Sequence, residues 1–369
     1  MPVTAKKINR TILISPLDWG LGHATRCIPV IELLIHKRCR VIIACNFTQE
    51  ILLRAEFPDL EYLRLEGYNI TYRKKNIMLG LMLQLPRFFH SIKRENKWLS
   101  EIINQYQPDA IISDNRYGFY HGKVPCILIT HQLQLQMPPG FDRFQSFFSK
   151  TLYRYVNRFT ECWVPDMESA TDSLAGALSH PRILPEIPVT YIGWLSRFKK
   201  TTAIPKKYWL TICLSGPEPQ RSLLEKILLP QLALVDFQVL LIRGLPGETA
   251  MLPVPKHVEA VNHLPARQMA LAFQQTEFVI SRSGYSTLMD MQVLGCKCIF
   301  IPTPGQTEQE YLAKQLIRKK MAVVRSQGNF NLLSALREAS DFDYQSSGFR
   351  NNDLLEKVIT GWLARLENR

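Results

Sequence analysis

The sequence predicts an α/β protein built from two successive units, each a parallel sheet wrapped by helices, with a ligand cleft between them. Three observations carry that expectation. Short runs rich in Ile, Val and Leu recur between helix-patterned segments, and these runs lack polar alternation, so they are strands buried on both faces. The pattern breaks at RFKKTTAIPKKYW (197–209) and then restarts. A chain of 369 residues with 46% hydrophobic content is also long and apolar enough for two well-formed cores.

In chain order, the strands of the first unit are TILIS (11–15), RVIIACN (40–46), DAIISDN (109–115), CILITH (126–131), ECWVP (161–165) and TYIG (190–193). Each is short and aliphatic, as a buried strand requires. The Lys-, Thr- and Pro-rich segment at 197–209 reads as a linker. The first unit is therefore placed at 1–198 and the second at 208–345. The strands of the second are LTICLSG (210–216), FQVLLIRG (237–244), EFVISRSG (277–284), KCIFIPTPG (297–305) and MAVVR (321–325). NNDLLEKVITGWLARLEN (351–368) has apolar residues at helical spacing and is expected as a closing helix within 350–369. Open parallel sheets bind ligands outside the carboxyl ends of their strands, which places the cleft between the units.

The 45 Lys+Arg exceed the 32 Asp+Glu to give a net charge of +13, which favours an anionic partner: nucleic acid, a phosphorylated substrate or an acidic membrane surface. Nucleic acid is the lesser candidate, because no basic recognition helix, RNP-like aromatic strand or zinc module is present. The eight cysteines lie mostly in strand-like runs and form no CxxC pair, so they read as reduced core residues of a cytoplasmic protein. The N-terminal MPVTAKKINRTILIS lacks the long apolar stretch of a secretory signal, and no uncharged apolar run reaches membrane-spanning length.

The first strand leads into PLDWGLGHATRC (16–27), a glycine-containing turn at the start of a helix. A dinucleotide fingerprint would need a third glycine and an acid ending the second strand. Gly20 and Gly22 are present, but Thr25 stands at the third position, and the second strand ends in Ala44, Cys45 and Asn46. What remains is a tight turn, a helix N-terminus able to receive negative charge, and His23 in the first helical turn. A local role for the glycines and His23 accounts for this loop equally well.

The segment 277–316 is more informative. Its strand ends in Ser281-Arg282-Ser283-Gly284, with the next helix starting at Tyr285 or Ser286. Backbone amides there, the Ser283 and Ser286 hydroxyls and Arg282 would cradle a diphosphate. Asp290 lies one helical turn beyond Ser286, where a carboxylate suits ribose hydroxyls. The loop PTPGQTEQE (302–310) brings Gln306, Gln309 and Glu310 to the start of a further helix, and such side chains suit sugar hydroxyls. Helix capping explains Ser283 and Thr307, but not two adjacent loops with this character.

With RSG at 282–284, Asp290, Gly295, FIP at 300–302, Gln309 and Tyr311 at its spacings, this segment resembles the carboxyl-terminal donor domain of glycosyltransferase family 28. The likeness extends more loosely to GLGH (20–23) and to LSGPEPQR (214–221), where the family has its first donor phosphate loop. It implies a GT-B fold: two Rossmann-like domains, the second holding a UDP-linked sugar such as N-acetylglucosamine, the first an acceptor. In the family's peptidoglycan branch that acceptor is lipid-linked and the enzyme is peripheral on the inner membrane face. Asp290 replaces the usual glutamate, Glu310 the second glutamine, and Ala313-Lys314 an Asn-Ala pair, leaving room for a different sugar.

The resemblance implies that Ser215, Gly216 and Arg221, together with 282–286, stabilise the leaving diphosphate without a metal or other cofactor. It also implies inversion at the anomeric carbon, with a base on the acceptor side. His23 is the first choice for that base, since histidine titrates near neutrality. Asp114 is its orienter or replacement, and Asn115 and His131 lie beside it at strand ends. Two cationic amphipathic stretches, 73–97 and 141–159, are candidates for docking on an anionic membrane. Nucleotide-sugar hydrolysis or epimerisation, and non-catalytic nucleotide-sugar binding, are the competing functions.

Overall fold

The protein was analysed as a computed structural model that describes residues 10–65, 67, 77–136, 145–201, 204–345 and 353–367; within 77–88 and at 146 it describes the backbone alone. The first sheet contains β1 (Thr11–Pro16), β2 (Arg40–Cys45), β3 (Glu61–Arg64), β4 (Ala110–Asp114), β5 (Cys126–Ile129), β6 (Glu161–Val164) and β7 (Val189–Tyr191). The second contains β8 (Tyr208–Cys213), β9 (Val239–Ile242), β10 (Val258–Val261), β11 (Thr276–Ser281), β12 (Lys297–Phe300) and β13 (Val323–Val324). Their orders are β3-β2-β1-β4-β5-β6-β7 and β10-β9-β8-β11-β12-β13. Every pairing is parallel.

The continuous apolar runs have the expected cause, burial on both faces. In β1, Ile12 and Ile14 pack into one core cluster and Leu13 into another. In β2, Val41, Ile43 and Cys45 face the first cluster while Ile42 and Ala44 face the second. The second sheet repeats this, with Phe278 and Ile280 of β11 on one side and Val279 on the other.

Ten helices are described. α1 (Leu21–His36), α2 (Phe47–Glu56), α3 (Ile77–Tyr106) and α4 (Gln145–Val156) accompany the first sheet. α5 (Gln220–Leu232), α6 (Ala266–Gln274), α7 (Tyr285–Leu294), α8 (Thr307–Arg318) and α9 (Leu332–Asp341) accompany the second. α10 (Leu354–Glu367) returns to the first: the Trp362 and Trp163 rings meet at 5.3 Å, and Lys37 pairs with Glu356 at 2.7 Å.

In both sheets the strand order reverses beside the first strand, between β1 and β4 and between β8 and β11. Loops diverge at such a reversal and leave a crevice at the strands' carboxyl ends. The two crevices face each other, because α1 packs against α7.

Candidate active site

On the first domain the site starts at Gly20, whose φ of 85° lies in the left-handed region that glycine enters without strain. This turn admits α1 immediately after β1 and sets His23 and Arg26 beside the end of β4. Asp114 there is fully buried. Its Oδ1 lies 3.3 Å from His23 Nδ1 and also accepts from an Arg26 terminal nitrogen, while its Oδ2 accepts from Arg26 Nε at 2.7 Å. The other terminal nitrogen of Arg26 is 3.2 Å from His131 Nδ1, and His131 Nε2 is 2.9 Å from Glu308 Oε1. The second Glu308 oxygen accepts from the Gln132 amide. Because Glu308 belongs to the first turn of α8, these contacts run from His23 through Asp114, Arg26 and His131 into the other domain.

The network fixes proton positions by elimination. Asp114 can only accept, so His23 presents Nδ1–H to it and keeps the lone pair on Nε2. Arg26 can only donate, so His131 offers Nδ1 as acceptor and places its hydrogen on Nε2, towards Glu308. Burial lowers the His23 pKa below the ordinary 6.5, reinforced by the Arg26 cation and opposed by Asp114. Burial alone would raise the Asp114 carboxyl, but Arg26 and His23 hold it well below the usual range. Burial is likewise outweighed at Glu308, where His131 leads the groups that lower its pKa. The outcome is a neutral imidazole beside two ionised carboxylates.

The second domain approaches closely. Ser286 Oγ donates to the Gly22 carbonyl at 2.9 Å, and an added Cβ on Gly22 would lie 3.3 Å from that oxygen. The Tyr285 hydroxyl donates to Pro165 O at 2.7 Å, and its ring stacks on His131 with centroids 4.1 Å apart.

Helices α1, α7 and α8 begin without a side-chain cap hydrogen bond, at Gly20, Gly284 and Gln306, as does α6 at Pro265, whereas at the start of α5 the Glu218 carboxylate accepts from Ser222 N at 3.2 Å. By contrast, Asn46 caps α2 and Asn331 caps α9. An uncapped terminus leaves amide donors and a positive dipole end for an anion. Those of α1 and α7 lie beside each other, where Ser286 meets the Gly22 carbonyl.

The remaining donor-side residues divide by their contacts. Arg282 is 1% exposed and turned inward, donating to Gln220 O (2.9 Å), Gln327 Oε1 (2.6 Å), Ile301 O (3.1 Å) and Pro302 O (3.3 Å). It braces three loops, and burial lowers its pKa to about 10. Arg221 is likewise engaged, with Glu218 and Glu225 each at 2.6 Å. Ser283 Oγ donates to Gln309 O at 2.9 Å, and the Gln309 and Glu310 side chains accept from Thr303 N and Gly305 N at 2.9 and 2.8 Å. Asp290 accepts from Ser196 Oγ at 2.6 Å; burial raises its pKa to about 6, opposed by Arg197. Gly216, beside Ser215, adopts a φ of 100° at the head of the α5 loop. Asn115 takes a φ of 57° after β4 and donates from its backbone to Ile129 O at 3.0 Å.

Arg26, Ser196 and Glu308 escaped the sequence reading. Arg26 had one signal: it lies within ATRCIPVIELL, a cation on the face of α1 that otherwise buries Ala24, Cys27, Ile28 and Ile31. Among the described residues no three His, Cys, Asp or Glu side chains converge as a metal-binding group.

Of the two cationic stretches, Arg73, Lys74, Lys75, Phe141, Arg143 and Phe144 lie outside the described residues, as does the Arg87 side chain. Lys93, Arg94, Lys97, Lys150, Arg154 and Arg158 are exposed, whereas Phe159 is buried and Phe89 stacks on Tyr155 at 5.7 Å. Part of the apolar stripe is therefore core. Among the described residues no helix is long and apolar enough to cross a membrane.

Two facing parallel α/β domains with this crevice define the GT-B architecture, and the chain is a glycosyltransferase. In particular, residues 219–346 match the model of the glycosyltransferase family 28 C-terminal domain. Similar relatives include the UDP-N-acetylglucosamine--N-acetylmuramyl-(pentapeptide) pyrophosphoryl-undecaprenol N-acetylglucosamine transferases of two Listeria species. That of Listeria welshimeri is 23% identical, covering 74% of each chain; that of Listeria monocytogenes is 22% identical, covering 81% of this chain and 82% of its own. Among solved structures, Arabidopsis thaliana UGT89C1 complexed with UDP-L-rhamnose is similar in fold (TM-score 0.62, 10% identity, 98% of this chain and 100% of that one). So is the glycosyltransferase SnogD from Streptomyces nogalater (TM-score 0.58, 14% identity, 98% and 96%).

Proposed function

We propose that the protein transfers a sugar, with inversion, from a UDP-linked donor in the second domain to the hydroxyl of a lipid-linked acceptor at the first. N-acetylglucosamine is the sugar suggested by the Listeria relatives' names. The observation that carries the reading is the His23–Asp114 pair, set at the start of α1, whose Gly22 carbonyl touches Ser286 at the start of α7.

The chemistry divides between the two domains. The uncapped starts of α7 and α8 stabilise the departing diphosphate, with Ser215, Gly216, Ser283 and Ser286 lining the loops. Asp290 takes the ribose hydroxyls, and Gln306, Gln309 and Glu310 take those of the sugar. His23 Nε2 removes the acceptor proton as its oxygen attacks the anomeric carbon, and Asp114 steadies the imidazolium that forms. Asn115 and His131 shape the acceptor side. The exposed cations of α3 and α4 favour an anionic membrane surface, which would present a lipid-linked acceptor to this domain on the cytoplasmic side.

The test is nucleotide release from UDP-N-acetylglucosamine with and without membrane lipid extract. Release that requires extract supports transfer, whereas equal release without it supports hydrolysis. His23→Ala should retain donor binding and lose transfer by about 10²–10⁴-fold, the usual contribution of a positioned base. Unchanged turnover would remove His23 from the mechanism.

A further inference from the structure

We propose that Arg26 and Glu308 are positioning residues for transfer, linked through His131 so that the proton acceptor His23 is fully set only when the donor domain stands against it. The proposal rests on reading His23 as the base. It concerns what holds that base, and it uses two residues with no other assigned role.

The geometry has three parts. Arg26 takes the larger share of Asp114, with Nε at 2.7 Å against 3.3 Å for His23 Nδ1. A bidentate guanidinium fork is the stronger partner of a carboxylate, so how tightly Asp114 holds His23 depends on how firmly Arg26 is held elsewhere. Elsewhere means His131, and His131 is itself oriented by Glu308 from the other domain. Without Glu308, His131 loses its Nε2 acceptor and Arg26 loses the second of two nearby negative charges. The Tyr285 ring, also from the second domain, stacks on His131 and fixes its plane.

The titratable groups that act on His23 are Arg26 on its own helix, Asp114 of β4, His131 after β5 and Glu308 of α8. Two of them pull its protonation in opposite directions. Removing the Arg26 cation frees Asp114 and favours the imidazolium. Removing the Glu308 anion disfavours it. A residue that merely stabilised the fold would lower activity or melting temperature without moving the titration in a direction set by its charge.

The experiment uses the full chain, with His23 titration followed by proton–nitrogen NMR of the imidazole alongside the pH dependence of kcat/KM for UDP-N-acetylglucosamine and lipid extract. Glu308→Gln should move the His23 midpoint and the acidic limb to lower pH, and Arg26→Gln should move both higher, each by on the order of one unit. Glu308 is partly exposed, so Glu308→Gln should fold even if Arg26→Gln does not. Arg26→Lys keeps the charge but loses the fork; it should leave the midpoint near wild type while lowering kcat. Superimposable titrations for wild type and Glu308→Gln overturn the proposal. Retained transfer in His23→Ala overturns the base assignment instead, and the NMR shifts distinguish the two failures.

Discussion

Replacing Asp114 with Asn tests the site where stability and catalysis share one carboxylate. The substitution hardly changes volume, so its effects come from charge and hydrogen-bond direction. Asp114 Oδ1 faces His23 Nδ1 and Arg26, while Oδ2 faces Arg26 Nε and the Cys27 thiol at 3.6 Å, so both oxygens meet only donors. An amide can match only one side. With its oxygen towards His23, its NH2 opposes Arg26 Nε. When flipped, the NH2 opposes Arg26 and forces His23 to accept on Nδ1, placing the ring proton on Nε2 where the base should be.

Arg26 is 2% exposed and loses its counter-charge in either orientation. Breaking a buried pair from one side costs about 3–5 kcal/mol. Urea denaturation at pH 7 should show that loss. Transfer should fall by roughly 10²–10⁴-fold, the contribution of the disabled base. The stability difference should also narrow in acid. The folded Asp114 carboxyl titrates below its ordinary value of 3.8. Its contribution is therefore complete above that value and is lost as pH falls through the folded one. A variant within about 1 kcal/mol of wild type at pH 7, or with transfer within tenfold, would refute the reasoning.

Three further outcomes follow from the same geometry. Asp290 has a folded pKa near 6 against an ordinary 3.8, so its ionisation opposes folding as pH rises between those values. Asp290→Asn should then raise stability at pH 7.5 by on the order of 3 kcal/mol while weakening donor binding; a lower melting temperature would contradict this. Tyr285→Phe should cost about 1 kcal/mol by leaving Pro165 O without its donor, and Tyr285→Ala about 3–5 kcal/mol by emptying the interdomain stack; equal losses by thermal denaturation would rule out the stack. As the proposed base, His23 must be neutral to act, and its pKa is lowered, so the acidic limb of kcat/KM should lie below pH 6.5; a limb above that value would point to another base.

The sequence made the central strands legible and left two edges hidden. EYLR in β3 and VEAV in β10 carry charges and pair on one side only. An edge strand with one partner needs no continuous apolar run, so nothing in its composition separates it from a loop. β1, β4, β8 and β11 sit inside their sheets, and burial on both faces wrote them as unbroken aliphatic stretches. The site divides in the same way. Gly20, His23 and the 282–286 loop are local features of a strand, a turn and a helix start. Arg26 and Glu308 acquire meaning only when residues 105 and 177 positions apart are brought together by His131. Arg282 shows the reverse error of a local view: its charge suits a phosphate, but its distant partners turn it inward.

That inward turn bears on how the leaving group is stabilised. Both arginines of the donor loops are committed within their own domain, Arg282 to carbonyls and a Gln side chain and Arg221 to carboxylates. The starts of α7 and α8, by contrast, carry no side-chain cap, and their amide dipoles are fixed in place by the fold. Fixed dipoles need no rearrangement as charge develops on a diphosphate, so the cost of reorganisation is met during folding. The acceptor side follows the opposite logic in the proposed mechanism, because the proposed base must change charge during transfer. His23 is neutral at rest, and the ionised Asp114 behind it is already oriented to receive the imidazolium. If both assignments hold, substitutions at Ser215, Ser283 and Ser286 should change nucleotide affinity with little effect on the pH profile. Substitutions of Arg26 and Asp114 should move that profile while nucleotide affinity stays near wild type.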